Sequence, residues 1–190
     1  MVDLVFRVDT TEVNKLLNAV GGPGLNRIFS RALNRASLAG KTLGSKEIRK
    51  RYKLNAGFIN KKHITVKKSR PSSLQSSIRF SGNRIGLIHF VKGKKAPIRQ
   101  KGIKVSKRRK LRVQIRPGGT FTPKGRFIAF AKNATNVFSR TTKHSLPLTR
   151  SSVPSVGAML TALRIDTKIT ARTNEIFFKT YNNDFNRLIS

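Results

Sequence analysis

Eleven basic residues crowd one short window: Lys92, Lys94, Lys95, Arg99, Lys101, Lys104, Lys107, Arg108, Arg109, Lys110 and Arg112. Clustered cations of this kind suit contacts to phosphate, because each contact releases counterions condensed on a polyanion. From Val91 through Thr120 there is no Phe, Tyr or Trp, so the stacking platform of single-strand binders is missing. The expected contact follows a phosphate backbone without reading bases. An acidic protein partner would satisfy the same charge, with the run as a loop tip that orders on binding.

Other kinds of chemistry find no constellation. Two-carboxylate hydrolysis and two-metal nuclease chemistry need clustered acids. The seven acids are instead spread over the two ends, at Asp3, Asp9, Glu12 and Glu47, then Asp166, Glu175 and Asp184. His63, His89 and His144 have no HExxH spacing and no acid close by in sequence, so neither a metal cage nor a catalytic triad is expected. Gly40-Lys41-Thr42 has the ending of a phosphate-binding loop, but the motif's first glycine would fall at Arg35, and the segment reads as mid-helix. Zero cysteines exclude a disulfide framework, a thiol nucleophile and Cys-based zinc sites. The chain is read as a non-enzyme without catalytic residues, metal or cofactor.

The charge that surrounds the run sharpens this reading. Within 190 residues, 41 Lys and Arg face 7 Asp and Glu, a formal net charge of +34. Between Ile48 and Ile165 there is no carboxylate side chain, and 30 of the 41 basic residues lie there. The middle of the chain therefore cannot neutralise itself, and a polyanion is the expected partner. A hydrophobic content of 37% with twelve Phe is enough for a modest core. No window reaches the roughly 18 to 20 apolar residues of a membrane-spanning helix. The amino terminus, with Asp3 and Asp9, is unlike a secretory signal, so export by that route is not expected.

The elements that must position these cations follow from periodicity. Val2, Leu4, Phe6 and Val8 alternate with Asp3, Val5, Arg7 and Asp9 as a short strand, and Glu12 to Val20 suggests a brief helix stopped by Gly21-Gly22-Pro23-Gly24. Ile28, Ala32, Ala36, Ala39 and Leu43 recur at helical spacing within an amino-terminal helix over 24–53. A helical turn from Ala56 to Asn60 and a strand through Ile64 and Val66 come next. Leu74, Ser76, Ile78 and Phe80 then alternate with polar neighbours, and Gly82-Asn83 predicts a two-residue hairpin turn into Arg84 to Val91. A further antiparallel unit is expected between Ile103 and Val105 on one side and Leu111, Val113 and Ile115 on the other, and Phe127 to Phe130 reads as another strand. Val156, Met159, Leu160 and Leu163, then Phe177, Tyr181, Phe185 and Leu188, mark a carboxyl-terminal helical region with a break near Asp166. The expectation is one α+β domain over 1–190, with a β-rich basic centre over 62–131, a loop over 92–110 and helices over 153–190, around an antiparallel sheet.

Taken in order, several segments carry a resemblance. Ala32-Leu33-Asn34-Arg35-Ala36 in an alanine-bearing first helix is followed by Arg49-Lys50-Arg51-Tyr52-Lys53-Leu54 and by Phe58-Ile59 through Val66. A basic, glycine-containing middle comes next, then Leu146-Pro147-Leu148-Thr149 ahead of a long terminal helix. This arrangement resembles the minor tail protein Z family of tailed bacteriophages, the tail completion proteins, from Leu25 to Ser190. The central run departs from that family's continuous polybasic middle, because Ile103, Val105 and Ser106 interrupt it.

The resemblance implies a virion protein, made in the host cytoplasm, that sits at the head-proximal end of the tail and acts in tail completion and head-tail joining. It implies a homo-oligomeric ring of six copies, tail terminator or head-tail connector proteins as neighbours, and packaged DNA held without sequence preference. In such a ring, Ala32, Ala36 and Ala39 on one helix and Phe177, Tyr181, Phe185 and Leu188 on the other are candidates for subunit packing. A second reading explains the charge equally well: a ribosomal or nucleoid-type protein that binds nucleic acid as a monomer.

Overall fold

In a computed structural model, residues 4–7, 23–93, 110–131, 134–141 and 147–189 are described. The fold is α+β, with antiparallel sheets of two or three strands, an amino-terminal helix and a long carboxyl-terminal one. The chain divides into two compact units, one of 1–48, 56–82 and 156–190, the other of 49–55 and 83–155.

The first unit is organised by α1 (Pro23–Arg51). Proline at its first position fits the helix start, where no N–H is needed. Its inward row repeats every fourth residue as Ile28, Ala32, Ala36, Gly40, Gly44 and Ile48, all buried. Ala39 and Leu43, expected on this row, are only half-buried, because the row runs on through the two glycines instead. The glycines open a notch. A methyl group at Gly40 would lie 2.7 Å from Ile78 Cδ1 and 2.7 Å from Thr173 Oγ1, and one at Gly44 would lie 2.8 Å from Phe80 Cζ. Close approach there outweighs the roughly 0.5–1 kcal/mol that mid-helix glycine costs.

Packed into that notch is the central strand of a three-stranded antiparallel sheet, β1 (Leu4–Arg7), β2 (Ile64–Lys67) and β3 (Ser77–Phe80), ordered β1-β3-β2. Leu74, Ser76, Ile78 and Phe80 are buried and Gln75 and Arg79 exposed, as their alternation predicts. The expected hairpin with the next strand does not form. Both edges of β3 are already taken, by β1 and β2. Gly82 and Asn83 also both keep negative φ, whereas the tight hairpin turn suited to Asn-Gly pairs needs positive φ.

Helix α2 (Ala56–Lys62) leads into β2. At their junction His63 is buried against Phe58, 4.8 Å between ring centroids, and its Nδ1 has no hydrogen-bond partner among the described residues. Desolvation by burial, and after it the Lys62 ammonium, lower its pKa below the ordinary 6.5. Asn34, within the Ala32–Ala36 segment, accepts the Ser69 N–H at 2.8 Å and donates to the Ser69 carbonyl at 3.0 Å. It thereby holds the turn that sends the chain back toward β3.

Two helices complete this unit, α3 (Val156–Ala162) and α4 (Asp166–Ile189). The expected break falls at 163–165 and has a defined cause. Arg164 takes φ 48°, Ile165 N–H bonds Leu160 C=O, and Arg164 N–H bonds Thr161 C=O, the closing pattern of a Schellman cap. Phe29, Leu33 and Leu74 form a cluster on which Leu25, Phe177 and Tyr181 pack, with Phe29 edge-on to Phe177 at 5.1 Å. Each fully buried large side chain here, such as Leu33 or Phe80 at 0% exposure, stabilises the fold by about 1.5–3 kcal/mol.

The second unit is built from β4 (Arg84–Gly86), a 3-10 turn over Leu87–Phe90, and β5 (Arg126–Ala131), β6 (Ala134–Arg140), β7 (Leu148–Arg150) and β8 (Ser152–Ser155). β4 pairs with β8, and β5-β6-β7 form a second antiparallel sheet. The carboxyl-terminal helices were expected from 153. Residues 153–155 are strand instead, because Pro154 removes an N–H and restricts Val153 to extended backbone. Among the described residues of this unit, Ile85, Leu87, Phe90, Val113 and Val137 are the most buried apolar ones, each at 2% exposure or less. Among the described residues, no helix is long and apolar enough to cross a membrane. The brief helix expected over 12–20 lies outside them.

Candidate nucleic-acid interface

The second unit contains no carboxylate side chain, against 23 Lys and Arg; the first holds all seven carboxylates with 18 Lys and Arg. Within the first unit two of those acids meet bases: Arg31 pairs with Asp184 at 3.3 Å and Arg172 with Glu175 at 2.7 Å. In the second unit every described basic residue is exposed, thirteen in all. Exposed cations on a unit that has no carboxylate of its own form a field that an outside anion can neutralise.

The geometry around segment 110–116 orders part of that field. Gln114 N–H bonds Phe90 C=O at 2.8 Å and Lys92 N–H bonds Arg112 C=O at 2.9 Å, with Val91 bridged antiparallel to Val113. On its other edge Val113 exchanges both backbone hydrogen bonds with Phe121, each 2.9 Å. Residues 91–92 and 112–113 thus form a stem, and 94–109 is the stretch of chain between its two sides. The antiparallel unit expected between Ile103, Val105 and Leu111 to Ile115 is corrected on its described side: Val113 has both edges occupied by Val91 and Phe121. Ile103 and Val105 lie outside the described residues.

Burial alternates along the segment. Val113 is fully buried and Ile115 half-buried, while Arg112 and Arg116 are exposed with half-buried Gln114 between them. Register places Lys92 directly across from Arg112, a separation of about 5 Å between Cβ atoms. Like charges so opposed are destabilising, by a few tenths of a kcal/mol to about 1 kcal/mol when no anion lies between them.

Of the eleven basic residues singled out by sequence, the structure brings together Lys92 and Arg112 and places Lys110 two residues along the same segment, all three exposed. Lys94, Lys95, Arg99, Lys101, Lys104, Lys107, Arg108 and Arg109 lie outside the described residues. Sequence reasoning missed one neighbour. Lys53 N–H bonds Ile115 C=O at 2.8 Å, which joins the basic end of α1, Arg49 to Lys53, to the same segment next to Arg116. That stretch was visible as a charge run, but some sixty residues of chain separate it from Ile115, and no local pattern signals the contact. Elsewhere in this unit Arg140 sits over the Phe127 ring at 5.1 Å, and Phe130 is 66% exposed.

The candidate packing residues divide. Ala32 and Ala36 are covered by the chain's own core at 0% and 1% exposure, Phe177 and Tyr181 pack on Phe29, and Tyr181 also stacks on Phe185 at 5.7 Å. Ala39 and Phe185 are half-buried and Leu188 is 53% exposed. Surface on this helical side is left mainly by Leu38, Phe178 and Leu188. Among the described residues no three His, Asp or Glu come together in a way that would hold a metal ion. Compared with family models, with curated proteins and with solved structures, the chain has no match.

Proposed function

We propose that this chain is a non-enzymatic structural protein that completes a phage tail at its head-proximal end and supports head-tail joining. Its acid-free unit is turned toward the end of the packaged genome. The observation that carries the reading is the segregation of charge by unit: 23 Lys and Arg with no carboxylate in one, against all seven carboxylates in the other. Such a surface holds phosphates without reading sequence. The order of segments from Leu25 to Ser190 supports the tail assignment, and a ring of six copies beside terminator or connector proteins belongs to the same proposal.

Ring closure would bring like charges together, so assembly depends on DNA, on salt or on acidic neighbours. Electron microscopy of the native particle tests the assignment: a ring at the upper end of a tail is the expected image. A position on ribosomal RNA or on the nucleoid would replace it with the second reading. In solution, association is expected to change between low and high salt and on adding DNA, and indifference to both would remove the electrostatic part.

A further inference from the structure

We infer that Lys53, Lys92, Arg112 and Arg116 form a preorganised phosphodiester-binding row, separate from the run over 94–109. The inference rests on the proposed reading of the second unit as a nucleic-acid-facing surface, and names which ordered residues do the holding. Three observations carry it. Backbone hydrogen bonds fix the row: Lys92 to Arg112, Gln114 to Phe90 and Lys53 to Ile115. All four side chains are exposed. Lys92 and Arg112 are opposed in register within a unit that has no carboxylate.

Preorganisation gives the row its advantage. A cation whose backbone is already held by hydrogen bonds has lost its backbone freedom on folding, so less conformational entropy is lost when it settles on phosphate. Arg112 and Arg116, both exposed, flank the buried Val113 bridge and the bend at Ile115, with half-buried Gln114 between them. An anion between Lys92 and Arg112 turns their repulsion into two attractions. From Val91 through Thr120 the sequence has no aromatic residue, and Phe121 lies opposite buried Val113 rather than opposite the arginines. The ligand is therefore the backbone of a duplex, not a stack of unpaired bases.

The test measures binding of the full chain to a fluorescent DNA duplex of arbitrary sequence, about 30 base pairs long, over a salt series. The wild type is compared with Lys53→Gln/Lys92→Gln/Arg112→Gln/Arg116→Gln. The slope of log affinity against log salt is expected to become shallower by about 3 to 4, with affinity at about 100 mM salt falling more than tenfold. The pair Lys53→Gln/Arg116→Gln, which leaves the stem untouched, should lose about half of that slope change, and it decides the matter should the fourfold variant fold poorly. A wild type that binds duplex steeply while both variants match it overturns the row alone. A wild type without salt-dependent duplex binding overturns the nucleic-acid reading and the row with it. Tighter binding to polyglutamate than to duplex of equal charge overturns both in favour of an acidic protein.

Discussion

The first unit carries all seven carboxylates among 18 Lys and Arg, and the second carries 23 Lys and Arg and none. The two also differ in what holds them. The first packs a helix with a glycine notch against a sheet and a second helix, with Leu33, Ile48, Phe80, Met159, Leu160 and Ile169 at 0% exposure. Among the described apolar residues of the second unit only Val113 and Val137 reach 0% exposure, and segment 110–116 is joined to its neighbours by a few backbone hydrogen bonds and isolated bridges. Burial is deepest in the unit that holds every carboxylate and shallower in the unit that holds none. A polyanion bound to the second unit would supply part of what its own residues do not.

The largest expected effect lies in the better-packed unit. Leu160→Asp buries an unpaired carboxylate at a fully covered position and should cost more than about 4 kcal/mol. Circular dichroism should show a chain unfolded or aggregated at room temperature. A soluble, cooperatively melting variant would mean that the α3 stripe is not core. Next comes charge reversal of Lys107, Arg108, Arg109 and Lys110 to Glu. The sequence reads this run as a loop tip, so folding should be nearly unaffected, while duplex affinity at about 100 mM salt should fall more than a hundredfold. In a phage background, joining or DNA retention should fail with it; normal infectious particles would make the run a solubilising tip.

Gly44→Ala sharpens the same contrast from the packing side. Its new methyl would press on Phe80 and should destabilise by about 1–3 kcal/mol, lowering the melting midpoint without altering duplex affinity. His63 adds a pH dependence. Its pKa is lower folded than unfolded, so the unfolded chain binds the proton more readily, and stability is lost as pH falls below about 6.5. Melting from pH 7.5 down to 5 should show that loss, reduced in His63→Gln. Smallest is Arg164→Gly: relieving a left-handed arginine should raise stability by about 0.5–1 kcal/mol, read as a small upward shift of the melting midpoint.

Where periodicity alone decides structure, the sequence was legible. The alternation from Leu74 to Phe80 marks a strand with its inward face correct, and Val156, Met159 and Leu160 mark a buried helical stripe. Partner choice was not. A two-residue period identifies a strand but not its neighbour, so β3 was assigned a hairpin with a segment that pairs with β8 instead. β6 was not anticipated, because polar Thr135, Asn136 and Ser139 interrupt its apolar residues, yet Asn136 is 5% exposed and its Oδ1 accepts the Val137 N–H at 3.1 Å. For the interface, composition revealed the acid-free middle, but the approach of Lys53 to Ile115 needed the fold.

Lysine footprinting tests the contrast between the units most directly. The full chain is acetylated with and without duplex DNA, and the modified positions are read by mass spectrometry. Lys53, Lys92 and Lys110 should lose reactivity in the complex, while Lys61, Lys168 and Lys179, exposed on the first unit, should keep theirs. Equal protection in both units, or protection confined to the first, would contradict the account.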